Sequence, residues 1–565
     1  MLVRRGSELL RPPGPFEAHL TKEDRQRGVR LACQCRPAGE GIIVLEVPPE
    51  SQRGWQRLQT SGLMPAHGLA PDLRRVRAPR ILTPARIRSS GWRLAPGALD
   101  AVGSHEKRRP TARSLVVWRK EVLACQSPSD RILGMAFDIG STKIAGFLMN
   151  LETGDALETV SAPNPQMVHG EDIMSRLAFA RGGPAQESLL HEEILATLND
   201  LIRKGCALAH QPVERVFEVV AVGNTAMHHL FLGLPTDGLS RAPYTPSTKR
   251  EETRRAGAFG LRVAPAAAVV APPVVAAFVG SDLVAGVLAT RLHRSSRLRV
   301  FIDVGTNTEI CAGGRGRLVA CSTPSGPAFE GAHIRFGMRA ADGAVERVAI
   351  EPDTFHVDYR VIGRMKPRGL CGSALLDLLA DLFRTGAIDS AGRLQRRVAP
   401  RRIRRLGDQL AFLVVDADET SIGQDLLLTQ DDIGQLQLAK AAIHAGIDLL
   451  LDTLHRPVSD IQTLYLAGAF GSYLAPESAR AVGMLPDLPL ERVQFVGNTA
   501  GSGARLALLS IRERKAMRDI AKRIRHNPLA GDPRFPREFA ASLFLPHRDA
   551  TRFPSVTPRR RAPAR

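Results

Sequence analysis

The sequence predicts an α/β protein made of two related halves with a ligand site between them. A block of strands and turns occurs twice, from Arg131 to Ala162 and from Arg299 to Ser322. Each copy reads as an apolar strand, an Asp-x-Gly turn, a second strand, a Gly-rich turn and a third strand. A Val-Gly-Asn-Thr-Ala turn also occurs twice, at Val222 to Ala226 and at Val496 to Ala500. Paired motifs of this kind indicate internal pseudo-symmetry.

The two Asp-x-Gly turns have the chemistry of a phosphate clamp. Asp138 and Asp303 each end an apolar strand, and the glycine two residues later lets the backbone approach a ligand closely. The N–H groups and hydroxyls that follow face outward and can hold phosphate oxygens. A carboxylate at this position suits Mg²⁺, which bridges protein carboxylates to substrate phosphates and keeps several of its waters. An ordinary β-hairpin can carry one such turn, but two copies in matching context favour the ligand site.

A third stretch, Leu464 to Gly471, is an apolar strand that runs into small residues. Small side chains there permit a flat heterocycle to lie against the backbone. The Gly-Asn-Thr turns follow apolar strands and lead into helical patterns, although each alone is a common strand-to-helix loop. The sequence therefore predicts a nucleotide site assembled from several strand ends.

The net charge of +20 is concentrated at the two ends of the chain. Residues 131–510 carry 39 Lys and Arg against 40 Asp and Glu. A nucleic-acid-binding protein would carry its basic residues on the domain itself, so this distribution disfavours nucleic acid as a partner. The Arg- and Pro-rich ends are typical of solvated, partly disordered peptide, which also could steer an acidic partner.

Cysteine content and hydropathy indicate a cytoplasmic protein that does not enter a membrane. The 7 cysteines are scattered, odd in number and too few for a disulfide framework in 565 residues. No apolar run reaches the roughly 20 residues that span a bilayer. The first residues carry arginine but lack an apolar stretch of signal-peptide length.

The order of these motifs resembles the actin-like ATPase superfamily, which includes acetate and sugar kinases, chaperone ATPases and actin. The resemblance implies two ribonuclease-H-like lobes with ATP and Mg²⁺ in the cleft between them. It places Asp138 and Asp303 at the metal, through water, as the catalytic pair. It assigns the nucleotide contacts to Gly140, Ser141, Thr142, Gly223, Asn224, Gly305, Thr306, Asn307, Thr308, Gly468, Ala469, Phe470, Gly471 and Gly497.

Longer motifs narrow the resemblance to the reductive activators of corrinoid proteins, over roughly Leu20 to His547. These motifs lie at 164–166, 170–176, 321–339, 369–373, 435–446 and 497–505. In that family an electron enters through an N-terminal [2Fe–2S] domain, and ATP helps to drive the reduction of Co(II) cobalamin to Co(I). The resemblance implies that the partner is the corrinoid protein of a methyltransferase system.

The sequence departs from the family at the iron–sulfur cluster. A plant-type [2Fe–2S] site needs four cysteine thiolates, three of them clustered. Cys33 matches the fourth ligand of the family, whereas residues 1–19 contain no cysteine and Cys35 is too near to replace a distant loop. We favour a true start codon upstream of Met1 over loss of the cluster, and the cysteines present do not support the cofactor.

The predicted organisation follows from these motifs. It comprises a truncated ferredoxin-like β-grasp remnant (1–50), an Arg/Pro-rich linker region (51–130), ATPase lobe one (131–296), ATPase lobe two (297–511) and a basic C-terminal segment (512–565). Two alternatives stay open: a small-molecule kinase of the same superfamily, and a non-redox, ATP-dependent binding switch for a corrinoid protein. The sequence does not identify the corrinoid protein, the methyl donor or the electron donor. It also does not fix the oligomeric state, for which a homodimer is one candidate.

Overall fold

The computed structural model describes most of both predicted lobes and parts of the N-terminal region. The described residues are 2–12, 28–30, 35–39, 41–46, 62–78, 84–96, 98, 113–468 and 474–556. Within the predicted ferredoxin-like remnant, β1 (Leu2–Arg5) pairs antiparallel with β2 (Val44–Glu46). Cys33 lies outside the described residues.

A small sheet occupies part of the region predicted as a linker. Its elements are β3 (Leu73–Arg77), α1 (Pro84–Ser89), β4 (Arg93–Leu94), β5 (Ser114–Trp118) and β6 (Glu121–Gln126). The four strands lie in the order β3-β5-β6-β4. Leu115 and Val117 pack on Ile87 on one face, while Val116 and Trp118 join the core of lobe one on the other. The linker prediction missed this sheet because short strands between Arg- and Pro-rich loops become stable only when they are docked on a lobe.

Lobe one is built on a six-stranded sheet in the order β11-β12-β10-β7-β8-β9. Its strands are β7 (Leu133–Ile139), β8 (Lys143–Asn150), β9 (Ala156–Pro163), β10 (Val216–Gly223), β11 (Glu252–Arg255) and β12 (Ala268–Ala271). Its helices are α2 (Ile173–Ala180), α3 (Pro184–Leu208), α4 (Thr225–Leu232), α5 (Asp237–Ser240), α6 (Ala256–Phe259) and α7 (Ser281–Ala289). The parallel strands β7, β10 and β12 are apolar and buried, as expected for a sheet covered on both faces.

Lobe two repeats this plan with the order β23-β22-β13-β14-β15-β24 and two added three-stranded sheets. Its strands are β13 (Arg299–Val304), β14 (Thr308–Gly313), β15 (Leu318–Thr323), β16 (Ala344–Ile350), β17 (Val357–Val361), β18 (Gly369–Leu370), β19 (Ile403–Leu406), β20 (Gln409–Val415), β21 (Leu426–Thr429), β22 (Thr463–Ala467), β23 (Val493–Gly497) and β24 (Ile524–His526). Its helices are α8 (Gly372–Arg384), α9 (Gln430–Leu454), α10 (Pro476–Ala481), α11 (Thr499–Leu509), α12 (Ile511–Arg523) and α13 (Arg534–Ser542). Within the described ranges no helix is both long and apolar enough to cross a bilayer.

The C-terminal segment differs from the solvated peptide that its charge suggested. Helix α12 buries Met517 and Ile520, and β24 adds a parallel strand to the sheet of lobe two. Further on, Leu545 and Phe553 are buried as well. The arginines misled the prediction because, apart from the buried Arg514, those of α12 lie on the outer side of an amphipathic helix whose apolar side packs on the lobes.

The topology also corrects the pairing of the repeated turns. In both sheets the fourth strand lies beside the first, so β10 in lobe one corresponds to β22 in lobe two. The turn after β10 therefore matches the turn at Gly468, and not the turn after β23. The partner of the 496–500 turn is the turn at Gly280 to Asp282, because α7 follows β12 and α11 follows β23, the strands that lie beside β10 and β22.

Candidate functional site

A cleft between the lobes brings most of the predicted site residues together. It encloses a cavity of about 320 Å³ whose walls come from the ends of strands in both lobes. The predicted residues that line it are Asp138, Gly140, Ser141, Thr142, Asn224, Asp303, Gly305, Thr306, Asn307 and Gly468. The two Asp-x-Gly turns, 165 residues apart in sequence, thus face one cavity.

Hydrogen bonds fix the backbone of the first Asp-x-Gly turn, which lines the cavity. The Gly140 N–H donates to the Lys143 carbonyl at 2.9 Å, and a Cβ on Gly140 would lie 2.7 Å from that oxygen. Asn164 braces the turn from β9, because its Nδ2 donates to the Gly140 carbonyl at 2.8 Å and its N–H to the Thr142 carbonyl at 2.9 Å. Asn164, which belongs to one of the family motifs, therefore lies beside the cavity and fixes the first turn.

The second turn uses its hydroxyls partly for its own structure. Thr306 Oγ1 donates to Glu330 Oε1 at 2.7 Å, and Ser325 Oγ donates to the Gly305 carbonyl at 3.2 Å. Thr308 is fully buried, and its hydroxyl is bonded to Ser325 Oγ at 2.8 Å, so it does not line the cavity. We conclude that Thr306 borders the cavity, whereas Thr308 lies behind the turn.

The predicted adenosine loop is described only at its first residue. Gly468 has a φ of +89°, and a Cβ there would lie 2.9 Å from Asp303 Oδ1. The positive φ and this close approach both require a residue without a side chain. Ala469, Phe470 and Gly471 lie outside the described residues.

Gly223 and Gly497 do not line the cavity but hold residues that do. A Cβ on Gly280 would lie 2.4 Å from the Gly223 carbonyl, so the two turns lie in direct contact. Ser281 Oγ accepts the Gly223 N–H and donates to the Gly223 carbonyl, both at 3.1 Å. This contact places the carboxylate of Asp282, at the first turn of α7, in the cleft.

Five acidic side chains line the cavity, those of Asp138, Asp282, Asp303, Glu309 and Glu330, and burial is the main cause of the raised pKa values of the first four. Burial raises the pKa of Asp138 to about 6, and hydrogen bonding from Asn498 lowers it against that trend. Burial, with the charge of Asp138, raises the pKa of Asp282 to about 7. Burial, with the charges of Asp282 and Asp138, raises the pKa of Asp303 to about 8. Glu309, the cross-strand neighbour of Asp303, has its pKa raised well above the usual range by burial and by the charges of Asp282 and Asp303.

Such a set of carboxylates fits a divalent cation. Each is a hard oxygen donor, and mutual repulsion falls when a 2+ ion lies among them. Lys143 also borders the cavity, and burial lowers its pKa to about 8, opposed by the charge of Asp138. The cleft thus combines an anionic side for a metal with a cationic group and backbone N–H donors for phosphate.

Two family models cover most of the chain. Residues 133–295 match the model described as the RACo middle region, and residues 297–557 match the C-terminal domain of RACo, the ASKHA domain. The chain belongs to the RACo family. The resemblance to reductive activators drawn from the sequence motifs is therefore confirmed, and so is the actin-like ATPase fold of lobe two.

Individual proteins that are similar to this RACo-family chain have names that specify the activation or reduction of corrinoid proteins. The corrinoid activation enzyme RamQ of Eubacterium limosum is 37% identical over 412 residues, which cover 72% of this chain and 69% of that protein. The [Co(II) methylated amine-specific corrinoid protein] reductase of Methanosarcina barkeri is 25% identical over 421 residues, 69% of this chain and 72% of the relative. A solved structure of a reductive activator for corrinoid, iron-sulfur protein superposes with a TM-score of 0.77 at 32% identity. It covers 98% of this chain and 92% of its own.

Sequence reasoning missed several residues of the RACo-family cleft. Asp282, Lys143, Glu309 and Asn498 all line it, and the sequence motifs assigned a role to none of them. A signal existed for Lys143 and Glu309, since each lies within five residues beyond a predicted aspartate or its turn. Asp282 carried no such signal, because only the contact between the turns at Gly280 and Gly223 brings it to the cavity.

The described cysteines do not form an iron–sulfur site. Cys35 is partly exposed, whereas Cys125, Cys206, Cys311, Cys321 and Cys371 are all buried in the small sheet and the two lobes. Cys311 and Cys321 lie on the neighbouring strands β14 and β15. Burial raises the pKa of the thiols of Cys311 to about 12 and of Cys206 to about 11, which suits packing and not metal binding. Cys321 and Cys371 are buried thiols of the same kind.

Proposed function

We propose that this chain is an ATP-dependent reductive activator of a corrinoid protein that serves a methyltransferase system, converting Co(II) cobalamin to Co(I). The supporting observation is the cleft, in which carboxylates and phosphate-type turns from both lobes face one cavity. The names of the relatives, which specify corrinoid activation and Co(II) corrinoid reduction, supply the substrate class.

Within this proposal the residues of the cleft have separate tasks. Asp138 and Asp303, with Asp282 beside them, would hold Mg²⁺, which would supply positive charge to neutralise the phosphate oxygens. The N–H groups of Ser141, Thr142 and Thr306 and the hydroxyls of Ser141 and Thr142 orient the phosphates, whereas the Thr306 hydroxyl donates to Glu330. Lys143 balances the charge of the phosphates.

Nucleotide binding acts on the partner through the angle between the lobes. Because each lobe contributes one turn to the cavity, a ligand that contacts both turns favours the closed arrangement. A ligand shifts such an equilibrium only by its differential affinity for the two states. Each ~59 mV of an uphill one-electron transfer corresponds to about 1.4 kcal/mol. The closed form must therefore differ from the open form in its binding free energy for the corrinoid partner by enough to offset that gap.

The test replaces the cleft aspartates one at a time. Asp138→Asn and Asp303→Asn keep the shape of the side chain but remove the charge that holds the metal. We expect each to lower the rate of ATP-dependent cobalt reduction by roughly 100-fold or more. The measurement is anaerobic absorbance spectroscopy of a Co(II) corrinoid protein, supplied with a chemical reductant, ATP and Mg²⁺.

Asp408→Asn is the matched control, since Asp408 is an exposed aspartate in the turn between β19 and β20, away from the cleft. Its activity should equal that of the unchanged protein. Full reduction by either cleft variant would contradict the proposal. ATP-dependent complex formation without reduction would indicate a binding switch, and release of a phosphorylated small molecule would indicate a kinase.

A further inference from the structure

A segment near the N-terminus runs along a helix that borders the cleft. This N-terminal strap comprises residues 62–70 and follows α11 over its whole length. At one end the Leu63 N–H donates to the Val496 carbonyl at 2.8 Å, just before α11 begins. At the other end the Ala70 N–H donates to the Leu509 carbonyl at 3.0 Å, where α11 ends. The strap is thus attached at both ends of one helix.

The strap touches the turn that enters the cleft. Gly62 lies against Asn498 so closely that a Cβ on Gly62 would be 2.2 Å from the Asn498 carbonyl oxygen and 2.8 Å from Ser502 Oγ. Gly62 and Gly497 also form an antiparallel bridge. Since the Asn498 carbonyl accepts the Ser502 N–H of α11 at 3.2 Å, the turn cannot move away without loss of the first helical bonds.

The other side of Asn498 faces the site. Its Nδ2 donates to Asp138 Oδ2 at 2.9 Å, across 360 residues of sequence. Its Oδ1 accepts the Gly501 N–H at 2.6 Å and so caps α11. A side chain that is bound at both polar atoms has one available rotamer, and its position is set by the backbone of the turn.

We propose that Asn498 is the positioning residue of Asp138 and that the N-terminal strap, through Gly62, sets the place of Asn498. The contacts form one chain from the strap to the carboxylate: Leu63 to Val496, Gly62 to Asn498, and Asn498 to Asp138. Docking of the strap and binding of nucleotide are then linked, and the linkage is reciprocal. The inference rests on the nucleotide-binding function proposed above.

The strap offers a pair of matched glycine variants. Gly62→Ala introduces a Cβ into backbone atoms of Asn498, whereas a Cβ on Gly68, in the same strap, meets nothing within 4 Å. We expect Gly62→Ala to raise the Kd for Mg-ATP by about tenfold, because the bond between Asn498 and Asp138 is displaced. Gly68→Ala should stay within about twofold of the unchanged protein.

Asn498→Ala tests the second contact of the chain. It should raise the same Kd by about tenfold or more, and the double variant with Gly62→Ala should lie within about threefold of Asn498→Ala alone. Effects that multiply to about 100-fold would mean that Gly62 acts by another route, and would overturn the inference. A normal Kd in Gly62→Ala would overturn it as well.

Hydrogen exchange of the full-length protein separates this inference from the function beneath it. Addition of Mg-ATP should slow exchange of the Leu63 amide by about threefold or more, and Gly62→Ala should abolish that response. If the unchanged protein binds Mg-ATP while Leu63 exchange stays constant, the linkage is wrong and the proposed function stands. If the unchanged protein does not bind Mg-ATP, both the linkage and the proposed function are wrong. The exchange result is decisive even if Gly62→Ala does not fold.

Discussion

At the scale of single residues, the acidic side chains of the cleft lie so close together that they lower the stability of the ligand-free protein. The proposed function explains why they are there. Asp138, Asp282 and Asp303 are forced together by strand ends that come from different parts of the chain. Their raised pKa values mean that the protein without ligand holds protons at neutral pH that the unfolded chain would release. A bound cation removes this repulsion, so ligand binding and stability are coupled.

The pH dependence of stability follows from the sign of the shift at Asp303. Its pKa rises from the usual range near 4 to about 8. The folded state therefore binds more protons than the unfolded state over that interval, and stability falls as pH rises through it. We expect Asp303→Asn to raise the Tm of the ligand-free protein at pH 8 by at least about 2 °C, with a smaller gain at pH 5. Differential scanning calorimetry at both pH values measures this.

Asp408→Asn, in an exposed turn, should leave the Tm unchanged at either pH. A lower Tm for Asp303→Asn at pH 8 would show that Asp303 stabilises the fold and is not under electrostatic strain. Together with the loss of activity expected for the same variant, a gain in Tm would identify a residue retained for function at the expense of stability.

At the scale of elements, the two lobes meet where α7 and α11 cross. A Cβ on Gly503 of α11 would lie 2.4 Å from Ala285 Cβ and 2.5 Å from Ala285 Cα on α7. Small residues on both helices thus allow their backbones to approach closely. Since α7 begins beside Asp282 and α11 begins beside Asn498, the crossing controls the spacing of both residues in the cleft.

Gly503→Ala should separate the two helices. The added methyl meets backbone atoms that cannot turn aside, so we expect a loss of about 1–3 kcal/mol of stability and a weaker affinity for Mg-ATP. Gly434→Ala, in the second turn of α9, meets nothing within 4 Å and should gain about 0.5–1 kcal/mol from helix propensity. Thermal unfolding and nucleotide titration measure both effects. Equal behaviour of the two variants would refute a tight crossing.

At the scale of the whole molecule, one buried ion cluster joins three parts of the chain. Arg514 of α12 pairs with Glu218 of β10 at 2.6 Å and with Asp72, which precedes β3, at 3.7 Å. Its Nε and Nη2 also donate to the Ala507 carbonyl of α11 at 3.1 Å and 3.0 Å. Arg514 and Glu218 are almost fully buried, so removal of Arg514 leaves the Glu218 carboxylate without its ion-pair partner in a buried site.

Arg514→Met should therefore destabilise the protein by about 3–5 kcal/mol. Replacement of both partners, Arg514→Met with Glu218→Leu, should recover much of this loss because the unpaired Glu218 charge is then removed and Asp72 keeps Arg119 as its partner. Arg203→Met removes the partner of Asp200 in a solvent-exposed pair and should cost less than about 1 kcal/mol. Urea unfolding followed by fluorescence compares the three. A loss below about 1 kcal/mol for Arg514→Met would show that the cluster does not join the parts.

The sequence by itself determined the repeated architecture and the core of the site. Apolar strands before Asp138 and Asp303, and glycines that only a close backbone approach requires, are local features, so they could be recognised without coordinates. The repeat also indicated that the turns at Asp138 and Asp303 face the same site. The family, too, was identified from motifs and is confirmed by the matching models.

Only the tertiary structure decided which residues complete the cleft and how the ends of the chain pack. Asp282 reaches the cavity through the contact of Gly280 with Gly223, and Asn498 reaches Asp138 across 360 residues. The small sheet of the linker region and α12 pack their apolar sides on the lobes, so their own composition did not reveal that they are ordered elements. The reason is physical: turn chemistry and strand pattern act over a few residues, whereas contact, burial and mutual repulsion of charges depend on the packing of distant segments.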